Sequence, residues 1–248
     1  MHLTNNYWYF TSAISKEICQ KIISLGSSKL EENLSLGIPT KGTTVGRRDK
    51  TLNRNTIPLN EKTFKELEKT GEDINNYHIR DSEVCWLNEK WLYDIILSHV
   101  NESNELAKWR WNLDACEDIQ FTRYENTNFY GWHKDGMSDH LAKYKRFISG
   151  VTPKPLTPDG DYPPPYTKSD TYVGKIRKIS VSINLDNENT YEGGNLKFRI
   201  DGEDITIPEF RKQGTIILFP SFVEHCVTPV TKGVRHSLVT WCLGDPWK

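Results

Sequence analysis

The chain has 248 residues, ample for one large domain with a filled core. Its 32 basic and 33 acidic residues leave a formal net charge of −1, so it carries no positive field for broad nucleic-acid binding. No apolar run reaches the roughly 18 residues of a membrane span, and the opening MHLTNNYWYF has no charged segment followed by a long apolar stretch, so neither a spanning helix nor a secretory leader is expected.

Residues 7–10, Tyr-Trp-Tyr-Phe, predict a short strand. Ser15 is a suitable N-cap, Glu17 sits in the first turn, and Ile14, Ile18, Ile22 and Leu25 mark one helical face. Gly26 is expected to end that helix, which would pack on a sheet. Residues 27–82 are polar, and Arg47-Arg48-Asp49-Lys50 predicts a solvated loop. A second helix is expected from Trp86, because Leu87, Trp91, Ile95 and His99 recur every four positions. Trp109 and Trp111 alternate, which predicts a strand. IQFTRY predicts another strand, and TNFY a turn entering the strand of Tyr130, Trp132, His133 and Asp135.

The stretch 137–176 breaks the pattern. It holds Pro153, Pro155, Pro158 and the triple Pro163–Pro165, with tyrosines at 144, 162, 166 and 172. A long insertion directly after a candidate metal dyad is expected to be a lid facing a substrate. DYPPPY also has the composition of a polyproline ligand for another protein. KISVSINLDN then alternates strictly, with Ile179, Val181, Ile183 and Leu185 on one face and Ser180, Ser182 and Asn184 on the other. Alternation alone leaves open whether that polar face meets solvent or a barrel interior.

Gly193-Gly194 predicts a turn or a close backbone approach, and Asp201-Gly202 a hairpin. GTIILFP, EHCVTPV and RHSLVTWCLG supply the last strands. Strand upon strand after residue 116 predicts a mainly β fold with supporting helices, built on a double-stranded β-helix of the jelly-roll or cupin-like kind. The expected organisation is one domain: a helical support over 1–115 and the barrel core over 116–248, with the insertion at 137–176. Cys19, Cys85, Cys116, Cys226 and Cys242 are odd in number and include no CxxC pair, so mostly reduced thiols in a cytoplasmic protein are expected.

The chemistry gathers at His133-Lys134-Asp135, His225 and Arg235. His-x-Asp on an extended segment points two ligands the same way, since strand side chains alternate. A non-haem ferrous site that leaves positions open for a cosubstrate and O2 takes two imidazoles and one carboxylate on one face. His225, in a Val- and Phe-rich run between Pro220 and Pro229, suits the third ligand. Arg235 opens a β-run ten positions later, and an arginine fork fixes a carboxylate at two points. Ser237 shares its face. A lone His-x-Asp is a weak signal in a chain with seven histidines; the combination carries the assignment.

Tyr124–Asp135, GGNLKF, TIILFP, His225 and RHSLVTW together resemble the prolyl 4-hydroxylase branch of the Fe(II)/2-oxoglutarate dioxygenases, over about residues 116–248. The resemblance implies Fe(II) on His133, Asp135 and His225, with 2-oxoglutarate chelating it and its far carboxylate on Arg235. It implies Ser237, Tyr124 and Asn184 as further cosubstrate contacts, with the Ser180/Ser182/Asn184 face turned inward. Trp241, Tyr130 and Arg177 become candidate substrate contacts. The implied reaction consumes O2, releases succinate and CO2, and hydroxylates an unactivated C–H bond, in first place a peptidyl proline, with ascorbate as reductant. Collagen-type members often use lysine where this chain has Arg235, which leans away from a collagen substrate. Two other readings stay open. One is a related oxygenase acting on a free amino acid, a small metabolite or an alkylated base; near-neutral charge argues against nucleic acid. The other is a metal-binding barrel without turnover.

Overall fold

The structure is a computed structural model that describes residues 3–42, 80–136 and 175–247. The 43–79 stretch and most of the proline-rich insertion lie outside these residues, so the expected Arg47–Lys50 loop, the lid and the polyproline segment are not described. In chain order the elements are β1 (Trp8–Phe10), α1 (Lys16–Ser35), β2 (Lys41–Gly42), β3 (Arg80–Leu87), α2 (Lys90–Leu106), β4 (Ala115–Cys116), β5 (Ile119–Tyr124), β6 (Phe129–His133) and β7 (Ile176–Asn184). There follow β8 (Glu192–Gly193), β9 (Leu196–Ile200), β10 (Glu203–Thr206), a 3-10 turn at Pro208–Arg211, β11 (Ile216–Pro220), β12 (Glu224–Val227), β13 (Val230–Lys232) and β14 (Arg235–Gly244).

The main sheet runs β1-β11-β7-β14-β5-β3-β6-β12-β9-β10, antiparallel throughout, with β2 on β3 and β4 on β14. β3 pairs with β5 through Glu83–Leu87 and with β6 through Arg80 and Asp81. It therefore joins the two walls, and the sheet curls into the half-barrel of a jelly roll. Segment 3–42 and β3 are part of this sheet as well as supplying helical support.

Two apolar clusters follow from strand alternation. Outside, α1 and α2 bury Cys19, Ile22, Leu30, Leu92 and Ile96 against Ile119, Phe121, Ile179, Val181 and Ile183. Each fully buried aliphatic side chain here contributes roughly 1.5–3 kcal/mol. Inside, Tyr124, Leu196, Phe198, Phe219 and Val227 fill the space between the walls. The Ser180/Ser182/Asn184 face of β7 is thus turned into the barrel, and all three residues are buried.

Ser15 caps α1 as expected, its Oγ accepting from the Ile18 N–H at 3.3 Å. Gly26 does not end the helix, which continues to Ser35. A Cβ at Gly26 would lie 2.4 Å from the Phe121 ring, so the glycine serves close helix–sheet approach. Trp86 and Leu87 close β3 instead of opening a helix, and α2 begins at Lys90. Trp109 and Trp111 form no strand. Left-handed backbone at Lys108 (φ 60°) and Arg110 (φ 51°) interrupts extension, and the two rings stack 5.5 Å apart. The Asp201-Gly202 hairpin is present, with φ positive at both residues (52° and 85°), as a type I′ turn requires. Cysteine pairing departs from expectation: Cys116 and Cys242 form a disulfide, because β4 sets Cys116 opposite Cys242 on β14 with Cα atoms 4.2 Å apart. Their separation of 126 positions hid that register from the sequence. Cys19 and Cys85 are buried thiols. Among the described residues, no helix is long and apolar enough to cross a membrane.

Candidate active site

β6 and β12 pair so that His225 lies directly opposite His133. This register brings together two residues 92 positions apart in the chain (225 − 133). Asp135 follows the end of β6, where its N–H and that of Gly136 both donate to the Ser221 carbonyl at 3.0 Å. The loop is thereby tied to the β11–β12 connection. One ligand atom from each of His133, Asp135 and His225 lies within 4.8 Å of the others.

Both imidazoles are oriented by backbone. His133 Nδ1 is 2.7 Å from the Gly131 carbonyl, and His225 Nδ1 is 3.0 Å from the Val223 carbonyl. A carbonyl only accepts, so each Nδ1 carries the proton and each Nε2 presents a lone pair. The two Nε2 atoms face the two Asp135 oxygens at 3.5 Å each. Burial and the adjacent His133 push His225 down to about 4, against the opposing pull of Asp135, so its ring is neutral at physiological pH. Burial alone would raise the Asp135 carboxyl, but His225, His133 and Arg177 outweigh it and hold the group well below the usual carboxylate range. Asp135 Oδ2 is buried with no hydrogen-bond partner among the described residues. Converging lone pairs with an orphaned carboxylate oxygen are a donor set that fits a divalent cation.

Arg235, 2% exposed, opens β14 opposite Tyr124 of β5, and its guanidinium lies 5.6 Å from the centre of the Tyr124 ring. Its Nη1 is buried and unpartnered among the described residues. Gly194, at φ +59°, makes way for it: a Cβ there would sit 2.8 Å from Arg235 Cδ. An orphaned buried guanidinium fits an incoming carboxylate.

Tyr124, Tyr130, Ser237 and Trp241 line the same pocket as the triad and Arg235. Tyr130 stacks on His133 with ring centres 3.5 Å apart. Arg177 is engaged by protein. It makes a two-point pair with Glu117 at 2.5 Å, donates to the Asp135 carbonyl at 3.2 Å, and lies 3.8 Å over Trp241. Asn184 is not brought into the pocket. Its Nδ2 donates to the Asp186 and Arg211 carbonyls and its Oδ1 accepts from Tyr191.

The pocket also contains Arg80, Gln120 and Ser182, which sequence reasoning did not single out as site residues. For Gln120 the signal was present: IQFTRY alternates apolar Ile119 and Phe121 with Gln120 and Thr122, as KISVSIN does. Arg80 gave no local signal, because only the placement of β3 between β5 and β6 carries it inward.

The profile of the 2OG-Fe(II) oxygenase superfamily matches residues 119–243. A PKHD-type hydroxylase of Synechococcus sp. (strain CC9605) is 44% identical over 66 residues, 26% of this chain and 29% of that protein. The PKHD-type hydroxylase YbiX of Shigella boydii serotype 18 is 27% identical over 124 residues, 49% of this chain and 40% of that protein. The chain thus spans well under half the length of these curated relatives. Among solved structures, the viral collagen prolyl hydroxylase of Paramecium Bursaria Chlorella virus-1 superposes with a TM-score of 0.53 at 16% identity, covering 97% of each chain. A Pseudomonas putida prolyl-4-hydroxylase gives 0.52 at 14%, covering 98% of this chain and 95% of the other. At such identities the likeness is one of fold.

Proposed function

The chain belongs to the 2OG-Fe(II) oxygenase superfamily, and from that premise we propose that it hydroxylates an unactivated C–H bond of a proline-containing peptide or protein, at C4 of the proline. His133, Asp135 and His225 would hold the ferrous ion. Arg235 takes the far carboxylate of 2-oxoglutarate, Ser237 assists from the same strand face, and the Tyr124 ring holds the guanidinium in place. Bound together, Fe(II), 2-oxoglutarate and O2 supply the oxidising power, with release of succinate and CO2, and ascorbate serves as reductant. The protein's part is orientation. The Gly131 and Val223 carbonyls fix both histidine tautomers, Arg177 secures the Asp135 loop, and Tyr130 and Trp241 wall the side from which substrate enters.

The observation that carries it is the coincidence, in one buried pocket, of three converging lone-pair donors and an arginine whose Nη1 has no partner among the described residues. The curated relatives' printed name, PKHD-type hydroxylase, supports hydroxylation, and the titles of the solved neighbours, both prolyl hydroxylases, support the choice of proline. The test is succinate formation from 2-oxoglutarate with Fe(II), O2 and ascorbate, with and without proline peptides. Peptide-stimulated turnover, with the peptide gaining the mass of one oxygen, is the expected result. Turnover that no peptide stimulates would move the choice to a small-molecule substrate, and absence of turnover with iron bound would favour a binding barrel.

A further inference from the structure

The pocket holds a second buried arginine that the reaction as described does not use. Arg80 opens β3 and is 9% exposed. Its Nε donates to Ser82 Oγ at 3.0 Å, its Nη1 to Gln120 Oε1 at 3.4 Å, and its guanidinium lies 4.7 Å from the Tyr130 ring centre. Its Nη2 is buried with no partner among the described residues. All three contacts are neutral. Its neighbours Asp81 and Glu83 belong to the other face of β3 by alternation and pair with Lys41 and Arg123. A buried cation with only neutral partners is unfavourable unless a ligand brings the opposite charge.

The ligands already assigned do not bring it. A ferrous ion, the Asp135 carboxylate, Arg235 and dianionic 2-oxoglutarate neutralise one another. Glu117 and Arg177 neutralise each other next door. Arg80 is the one surplus charge among the described residues that line the pocket. It also lies close to the chemistry: the Tyr130 ring that it covers is the ring stacked on His133. An anion on Arg80 is therefore one aromatic ring away from a metal ligand.

We infer that the substrate oxidised here is a carboxylic acid, and that Arg80 binds its carboxylate close in space to the carbon that is hydroxylated. Ser82, Gln120 and Tyr130 fix the guanidinium, leaving Nη2 for the charge-assisted contact. This deepens the reading of the site as a proline hydroxylase, on which it rests. The acid is either the α-carboxylate of a C-terminal proline, or the side chain of an acidic residue next to an internal one.

The test is anaerobic titration of the protein loaded with Fe(II) and 2-oxoglutarate, in wild type, Arg80→Gln and Arg80→Lys. The ligands are N-acetyl-L-proline, its amide, and end-capped peptides with an internal proline beside Glu or beside Gln. In the wild type one acid is expected to bind at least about tenfold more tightly than its uncharged counterpart, the worth of one charge-assisted hydrogen bond. The gap is expected to vanish in Arg80→Gln and to survive in part in Arg80→Lys, with 2-oxoglutarate affinity unchanged in both. The first pair showing the gap identifies an α-carboxylate, and the second a neighbouring side chain. Equal affinity of acid and uncharged form, no binding by any acid, or weakened 2-oxoglutarate binding in Arg80→Gln would overturn the inference. A charge-dependent gap without hydroxylation of any proline compound would overturn the proline reading and leave the carboxylate site standing. Thermal melts of the variants establish that each is folded.

Discussion

Two polar clusters are built around arginines in this protein, one half-buried at Arg211 and one buried in the pocket, and they are built in opposite ways. Around Arg211 both Nη nitrogens are fully engaged: they donate to the Gly193, Glu188 and Tyr191 carbonyls and to Asn195 Oδ1, while Asn184 donates to the Arg211 and Asp186 carbonyls and accepts from Tyr191. In the pocket, Asp135 Oδ2, Arg235 Nη1, Arg80 Nη2 and Trp241 Nε1 are all buried without a partner among the described residues. Buried polar atoms are normally satisfied. The first cluster is therefore complete as a piece of architecture, and the second is complete only with its ligands. Arg211 is half-buried and fully engaged at its Nη atoms, whereas Arg80 and Arg235 are more deeply buried and each keeps an Nη atom without a partner among the described residues.

The largest effect expected from breaking this contrast is at the proposed metal ligands. Asp135→Ala should lower 2-oxoglutarate turnover by more than about a hundredfold, beyond what loss of an outer-shell partner does, while circular dichroism stays native; turnover that survives would put the iron elsewhere. Next comes the satisfied cluster. Arg211→Leu strands four acceptors and should cost roughly 3 kcal/mol of unfolding free energy, and Asn184→Ala about 2 kcal/mol, both read by denaturant titration. Neither should move the KM for 2-oxoglutarate beyond about twofold, and a large rise in Asn184→Ala would return that residue to the cosubstrate. Arg235→Leu should do the reverse. The KM for 2-oxoglutarate rises at least about tenfold, yet the ligand-free protein is as stable as wild type or about 1 kcal/mol more so, because an uncompensated charge has been removed. The smallest effect is at Gly194. Its alanine variant presses on the Arg235 stem at a left-handed backbone position, and should cost about 1 kcal/mol with a few-fold rise in the same KM.

The contrast also marks how far the sequence could be followed. His133, Asp135, His225 and Arg235 were legible because period-two alternation places ligands on one face, and because the strands that carry them have strong local patterns. Asn184 shows the limit of parity. It lies on the inward face of β7 as expected, but at the strand's end, where Tyr191 and the Arg211 carbonyl meet it before the pocket begins. Arg80 was invisible for the complementary reason, since its importance comes from β3 bridging two walls and not from its neighbours in sequence. The Trp109/Trp111 alternation misled because two left-handed residues flank Trp109, and nothing in composition announces them. Gly26 misled because a glycine needed for a close approach has the same letter as one that ends a helix.

The Cys116–Cys242 bond has a topological consequence. It closes the chain into a covalent ring that contains His133, Asp135, His225 and Arg235 together, along with the whole insertion between β6 and β7. Within that ring there are two covalent routes from the first two proposed iron ligands to the third. One runs forward through the insertion, and the other runs back through β4 and across to β14. A single peptide-bond cut between residues 137 and 174 would open the ring without separating its halves. The imidazole–carboxylate pair on one fragment would stay tethered, at high effective concentration, to the histidine and arginine on the other. The reducing state of the surroundings then decides whether a nicked molecule is still one molecule.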